Sequence, residues 1–230
     1  MNSYHIDNDI ITISKKNSSS VQLHLDKTNG DVHGVFFDEV YRFLPVKGRV
    51  VIDIGANIGD SAIYFALQGA EKIITLEPYP RNHESAKKNI ELNNLSNKIN
   101  LLWTGCSDKA GYITINPKQK GAGSSLDETE NGIKVPLMTL ENILNTYNID
   151  SALLKMDCEG CEYKAILSSS DSTLQKFTHI QIEYHYGYKN LKERLEKCGF
   201  KVSVTNPLFL INHQARKLMY FGYLYAERKN

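Results

Sequence analysis

The stretch Arg49-Val50-Val51-Ile52-Asp53-Ile54-Gly55-Ala56-Asn57-Ile58-Gly59-Asp60 decides the fold. Its first half is an apolar run broken by one aspartate, the pattern of a strand buried on both faces of a parallel sheet. Its second half is a glycine turn. Gly55 and Gly59 let the backbone bend sharply and approach a ligand closely, and asparagine tolerates the left-handed conformation better than most residues at position 57. A helix over 58–68 follows. Strand, turn and helix in that order mark the ligand crevice of an open α/β sheet.

Working outward, the alternation continues. Strands are expected at 72–76, 99–104, 152–156 and 179–184, and helices at 80–94, 140–147 behind a Thr139 cap, 162–167 and 188–198. Residues 112–115 and 133–135 form a hairpin-like excursion around a polar loop, 116–132. Segments 200–205 and 218–225 close the sheet. This predicts an α/β architecture with a mostly parallel sheet and helices on both faces. Upstream, 10–14 and 21–25 alternate as two short strands, and 31–44 has helical spacing ended by Pro45 and Gly48. The expected organisation is therefore an N-terminal extension of hairpin and helix, 1–48, ahead of a ligand-binding domain, 49–230.

The bulk numbers exclude several classes. At 230 residues, 41% hydrophobic and 23% charged, the chain is an ordinary globular sequence. A net charge of +1 provides no strong field for nucleic acid, which argues against a nucleic-acid partner. There is no apolar run of membrane-span length and no signal-peptide core, so the expected location is cytoplasmic. Of the four cysteines, Cys158 and Cys161 form a C-x-x-C without a second ligand pair or a thioredoxin-like context. They are expected to be two small residues at a strand-to-helix turn, with no metal bound.

Ligand choice follows from charge. The dinucleotide fingerprint G-x-G-x-x-G would need glycine at 57 and 60, where Asn57 and Asp60 stand. A pyrophosphate would also meet the carboxylates of Asp53 and Asp60. S-adenosyl-L-methionine has no phosphate and bears a sulfonium cation, which neighbouring carboxylates attract. The competing reading is a glycine turn with no ligand. About twenty residues after the turn, Leu76-Glu77-Pro78 ends the second strand, where an acid can accept from a ribose diol. The expected cofactor-binding set is Asp53, Gly55, Ala56, Asn57, Gly59, Ser61, Glu77, Pro78, Cys106, Ser107 and Asp157. Of these, Cys106 and Ser107 at the third strand end are placed near the adenine.

The remaining acids and bases lie at the ends of strands four and five. If strand four lies beside strand one, Asp157 and Glu159 face the glycine turn. Alternation puts Glu183 and His185 on one face of strand five. The candidate catalytic set is Asp157, Glu159, Glu183 and His185, with His185 as a near-neutral base for an alcohol proton. Asp157 and Glu159 could also approach a magnesium ion, but hard cations want more converging oxygens. Tyr184, Tyr186 and Tyr188 line an acceptor pocket or fill the core. Ser124 and Ser125, in the long loop, are expected to close over the site.

With these residues in view, the chain resembles the FkbM family of methyltransferases. The resemblance rests on Val51 to Asp60, Leu76-Glu77-Pro78, Asn89-Ile90-Glu91-Leu92-Asn93, Gly123-Ser124-Ser125-Leu126 and Lys155-Met156-Asp157-Cys158-Glu159-Gly160-Cys161-Glu162, and covers about residues 36–185. Cys161 departs from the alanine common at that position. The resemblance implies a Rossmann-like class I methyltransferase sheet of seven strands, the seventh antiparallel. It also implies S-adenosyl-L-methionine as cofactor and methylation of a hydroxyl on a small molecule or glycan. An RNA methyltransferase and a non-catalytic cofactor-binding subunit are the alternatives. Met156-Asp157-Cys158-Glu159 differs from the N-P-P-Y-type motif common among enzymes that methylate base nitrogens.

Overall fold

The computed structural model describes residues 3–14, 20–24, 31–118, 128–212 and 217–229. Ser124 and Ser125, expected as a lid, lie outside these residues. Strands β1 (Ser3–Asp7), β2 (Ile10–Ser14) and β3 (Val21–His24) precede helix α1 (Val32–Phe36). The alternating part runs β4 (Val50–Ile54), α2 (Asp60–Leu67), β5 (Lys72–Leu76), α3 (Pro80–Leu92) and β6 (Ile99–Leu102). A side sheet is built from β7 (Gly105–Cys106), β8 (Gly111–Ile115) and β9 (Ile133–Met138). Then come α4 (Leu140–Thr146), β10 (Ala152–Met156), α5 (Cys161–Ser168), α6 (Asp171–Leu174), β11 (Phe177–Tyr184) and α7 (Lys189–Lys197). Strands β12 (Phe200–Val204), β13 (Leu208–Asn212) and β14 (Lys217–Arg228) end the chain.

The main sheet has the order β12-β14-β11-β10-β4-β5-β6. Strands β6, β5, β4, β10 and β11 are mutually parallel, and β14 runs antiparallel between β11 and β12. Beyond the seven expected strands, β13 pairs with the first half of the long β14 and adds an eighth. Strand order reverses between β4 and β10, which places the crevice at the carboxyl ends of these two strands.

Period-two alternation divides the core. Ile52, Ile54, Leu154 and Met156 point to the face covered by Ile143 of α4, Ile166 of α5 and Leu191 of α7. Val51 and Leu153 point to the opposite face, with Ile63 and Phe65 of α2 and Ile90 of α3. That second face also holds Ile13, Val21, Leu23, Val35 and Phe36, so the N-terminal strands share one apolar cluster with β4.

Two details differ from the sequence reading. An exposed strand, β1, pairs with β2 to extend the hairpin into a three-stranded sheet. The helix expected over 31–44 ends at Phe36, and turns follow, with Glu39 in the left-handed region at φ 51°. In this irregular segment the Val40 carbonyl accepts from Gln181 Nε2 and Phe43 packs on Tyr225.

The N-terminal sheet docks on α3 through two asparagines. Asn93 Oδ1 accepts from the Gln22 amide at 3.0 Å, and Asn89 Oδ1 accepts from the His24 amide at 2.8 Å. Asn89 Nδ2 donates to the Ile58 carbonyl at 2.9 Å, so one buried side chain ties the hairpin to the glycine turn. Replacing it with alanine strands buried polar groups at both ends. Asn89→Ala should cost about 2 kcal/mol of unfolding free energy, measurable by urea denaturation. A change within about 0.5 kcal/mol, the range of an ordinary surface substitution, would contradict this role.

Candidate active site

The turn after β4 is shaped by close backbone approach. Gly55 and Ala56 donate their amides to the Leu76 carbonyl at 3.0 and 2.9 Å. Gly55 has φ +88°, and a Cβ there would lie 1.9 Å from the Asp157 carbonyl oxygen. Only glycine lets the ends of β4 and β10 come this near. Asn57 (φ 47°) and Gly59 (φ 86°) complete a turn of three left-handed residues, and Gly59 caps α2. The Asn57 amide donates to Glu77 Oε2 at 2.8 Å and the Tyr79 amide to Glu77 Oε1 at 2.9 Å. These bonds fix the Glu77 carboxylate at the end of β5.

Beneath the turn, strand register sets Lys155 of β10 directly beside Asp53 of β4. Lys155 Nζ lies 3.0 Å from Asp53 Oδ1 and 2.6 Å from the Gly55 carbonyl. Ser61 Oγ and Thr75 Oγ1 each donate to Asp53 Oδ2 at 2.9 Å. Asp53 is thus fully buried under the turn, and Ser61 is engaged with it.

The β10 end carries Asp157, then Glu159 at φ 57° and Gly160 at φ 118°, the residue that caps α5. Cys158 and Cys161 are joined in a disulfide, correcting their reading as two plain small residues. The β11 end brings Glu183 to the same place. His185 is buried among three acids: Nδ1 is 3.0 Å from Glu162 Oε1, and Nε2 is 3.3 Å from Glu159 Oε2 and 3.8 Å from Asp157 Oδ1. Burial opposes its charge, but the hydrogen bond and charge of Glu162, aided by Glu159 and Asp157, push its pKa up to about 10. The three carboxylates around it favour the protonated imidazolium, which has no lone pair for an alcohol proton. The sequence shows a histidine at a strand end; tertiary packing surrounds it with carboxylates. Asp157, Glu183 and His185 bring ligating atoms within 4.8 Å of one another.

These strand ends enclose a cavity of about 340 Å³. Of the sequence-predicted residues, Gly55, Asn57, Glu77, Pro78, Cys106, Asp157, Glu159 and Glu183 line it. Asp53, Ala56, Gly59, Ser61, Ser107 and His185 are not on its wall. Ser107 donates its amide to the Met138 carbonyl and its hydroxyl to Asp108, while Thr104 and Gly105 face the cavity. Tyr184 is buried with its hydroxyl on the Thr205 carbonyl, Tyr188 packs on it, and Tyr186 is exposed. The tyrosines that do line the cavity are Tyr41, Tyr79 and Tyr223. Sequence reasoning also missed Asp31, Asn82 and Lys155, and used Asp60 only as a charge that a ligand would meet. Lys155 carried a signal, being the one charge in an otherwise apolar strand; Asp31 and Tyr223 come from distant segments and carried none.

Among the described residues, six carboxylates, those of Asp31, Asp60, Glu77, Asp157, Glu159 and Glu183, share this wall with one ammonium, Lys155, already paired to Asp53. Burial pushes Glu183 up to about 8, with help from Asp157; burial likewise pushes Glu77 to about 7 and Asp60 to about 6. Such a cavity favours a cation and repels phosphate.

A family model described as the methyltransferase FkbM domain matches residues 53–202. "Uncharacterized protein 158B" of Sulfolobus islandicus rod-shaped virus 1 is 29% identical over 161 residues, 70% of this chain and 76% of the viral protein. "Methyltransferase 1" of Beauveria bassiana is 23% identical over 201 residues, 75% of this chain and 81% of the fungal one. Among solved structures, a precorrin-6y C5,15-methyltransferase from Geobacter metallireducens superposes with a TM-score of 0.46 at 14% identity, covering 84% of this chain and 86% of that one.

The crowded acids make stability depend on pH. Glu183 rises from 4.5 to about 8 on folding and His185 from 6.5 to about 10. The folded state therefore holds more protons than the unfolded chain across this window, and stability falls as pH rises through it. Each contribution is complete below the unfolded value and lost as pH passes the folded one. Urea midpoints taken from about pH 5 to 10 should decline in the wild type and decline less in Glu183→Gln and His185→Gln. Parallel slopes in all three proteins would contradict the assignment.

Proposed function

The chain belongs to the methyltransferase FkbM family, and on that premise we propose that it transfers the methyl group of S-adenosyl-L-methionine to a hydroxyl oxygen of a small molecule or glycan. The observation that carries this reading is the acidic cavity at the switch point, whose one lining ammonium among the described residues, Lys155, is paired to Asp53. Its volume of about 340 Å³ falls in the range of small-molecule sites. When bound, S-adenosyl-L-methionine supplies a methyl carbon activated by a positively charged sulfur.

The residues present fit that donor. Each Glu77 oxygen accepts one amide and retains capacity for a hydroxyl of a ribose diol. The Gly55 turn offers backbone without a side chain in the way, and Thr104, Gly105 and Cys106 provide the wall at the third strand end. Asp157, Glu159 and Glu183 supply negative charge for a sulfonium or amino group. Asp53 and Ser61 act below the wall, by holding Lys155 and α2 and so shaping the turn.

Methyl transfer needs no enzyme nucleophile; it needs alignment and removal of the acceptor proton. Glu183 is the base in this reading. Its carboxyl, buried beside Asp157 and hydrogen-bonded to Tyr223, is pushed up to about 8, close to an operating pH. A cation bound alongside lowers that value and favours the carboxylate. His185, held charged by Glu162, keeps Glu159 and Asp157 oriented. A polynucleotide acceptor would bring phosphates to the six acids, which favours an uncharged hydroxyl acceptor.

Labelled methyl transfer from S-adenosyl-L-methionine into a cell extract, fractionated into small molecules, glycans and RNA, tests the acceptor. Label confined to RNA would contradict the proposal. Glu77→Gln should weaken donor binding about tenfold, read by calorimetry or by fluorescence of Trp103, the only tryptophan, whose Nε1 bonds the Pro78 carbonyl. Glu183→Gln should retain donor affinity within about threefold and lower the transfer rate by about 10² or more. An unaltered rate would remove Glu183 as the base.

A further inference from the structure

The Cys158–Cys161 disulfide has no part in the methyl-transfer reading, yet both cysteines line the cavity and are only partly buried. The bond encloses Glu159, a non-glycine residue in the left-handed region, and Gly160, also at positive φ. Such a conformation persists only where the surroundings impose it. The same loop holds the Glu159 carboxylate 3.3 Å from His185 Nε2.

A second contact links the sulfur to that histidine. Cys158 Sγ lies 3.3 Å from Glu162 Oε2. Glu162 is fully buried, holds His185 Nδ1 through its other oxygen, and accepts the Gly160 amide. A disulfide sulfur has no hydrogen to donate, whereas a thiol does. Breaking the S–S bond would therefore remove the clasp around Glu159 and give Glu162 Oε2 a new donor in competition with the Gly160 amide.

We propose that Cys158–Cys161 is a thiol–disulfide exchange site for a dithiol reductant, and that its oxidation state sets donor binding through the turn carrying Asp157 and Glu159. One thiolate of the dithiol attacks a cystine sulfur; the S–S bond breaks, a mixed disulfide forms, and the other cysteine leaves as a thiolate and takes a proton. The second thiolate of the reagent then attacks the mixed disulfide and releases the remaining cysteine, which is protonated in turn. Two electrons and two protons pass to Cys158 and Cys161, and the dithiol becomes a disulfide. The effect on donor binding rests on the methyltransferase reading; the exchange and the loosening of the turn do not.

The test compares air-oxidised protein with protein reduced by dithiothreitol and freed of reagent, with cysteine alkylation read by mass spectrometry. Cys158 and Cys161 should alkylate only after reduction. Amide exchange over residues 157–163 should quicken on reduction, and affinity for S-adenosyl-L-methionine should fall on the order of fivefold, the equivalent of the strain held at one left-handed side chain. Reoxidation should restore both, and Cys158→Ser/Cys161→Ser should match the reduced protein under every condition. Alkylation of both cysteines before reduction overturns the proposal. So do equal amide exchange and equal affinity in the two states, which would leave the methyltransferase reading standing. If neither state binds the donor, that reading falls, and amide exchange alone then decides whether the turn responds to reduction.

Discussion

The ion pair between Asp53 and Lys155 holds the switch point together. It joins the two central parallel strands side chain to side chain, with both groups essentially removed from water. A buried pair is stable only when its remaining donors and acceptors are satisfied. Here Lys155 also bonds the Gly55 carbonyl, and Asp53 also accepts from Ser61 on α2 and Thr75 on β5. Four elements thus meet at one carboxylate, and the glycine turn is pulled onto the sheet. The same pair withdraws the Lys155 ammonium on the cavity wall from the balance of the site.

What remains is a wall of carboxylates that cannot all ionise cheaply. Burial raises several of them towards neutrality, and His185 stays protonated to offset three others. A site in this condition gains from any ligand that brings positive charge. A sulfonium donor does so, and a pyrophosphate would do the opposite. The fold places these acids together because the ends of β4, β5, β10 and β11 converge near the reversal of strand order, with Asp31 brought in from ahead of α1, although they are distant in sequence.

Much of this was legible in the chain. Strands β5 and β10 fall where the apolar runs begin and end, and the glycine turn, Glu77, Asp157 and Glu183 all sit at the strand ends where a doubly wound sheet collects ligands. What was not legible depends on register or on packing. Asp53 reads as a site acid until strand register supplies Lys155 as its partner. His185 reads as a lone histidine at a strand end until Glu162, 23 residues earlier, is folded against it. Residues 31–44 have helical spacing, yet a turn at Glu39 redirects Phe43 onto Tyr225, because contacts to the sheet outweigh local propensity. The disulfide required knowing that Cys158 and Cys161 bracket a tight turn rather than a metal.

The most direct test of the acidic-cavity account is proton release on ligand binding. S-adenosyl-L-methionine would be titrated calorimetrically into the protein near pH 7 in two buffers of different ionisation enthalpy. A cation entering beside Glu183 and Glu77, which titrate at about 8 and about 7, should drive protons off them, so the apparent enthalpy should shift with the buffer in the direction of release. S-adenosylhomocysteine, with its neutral sulfur, should release fewer. Binding accompanied by proton uptake, or equal release by both compounds, would contradict the claim that these carboxylates await a cationic sulfur.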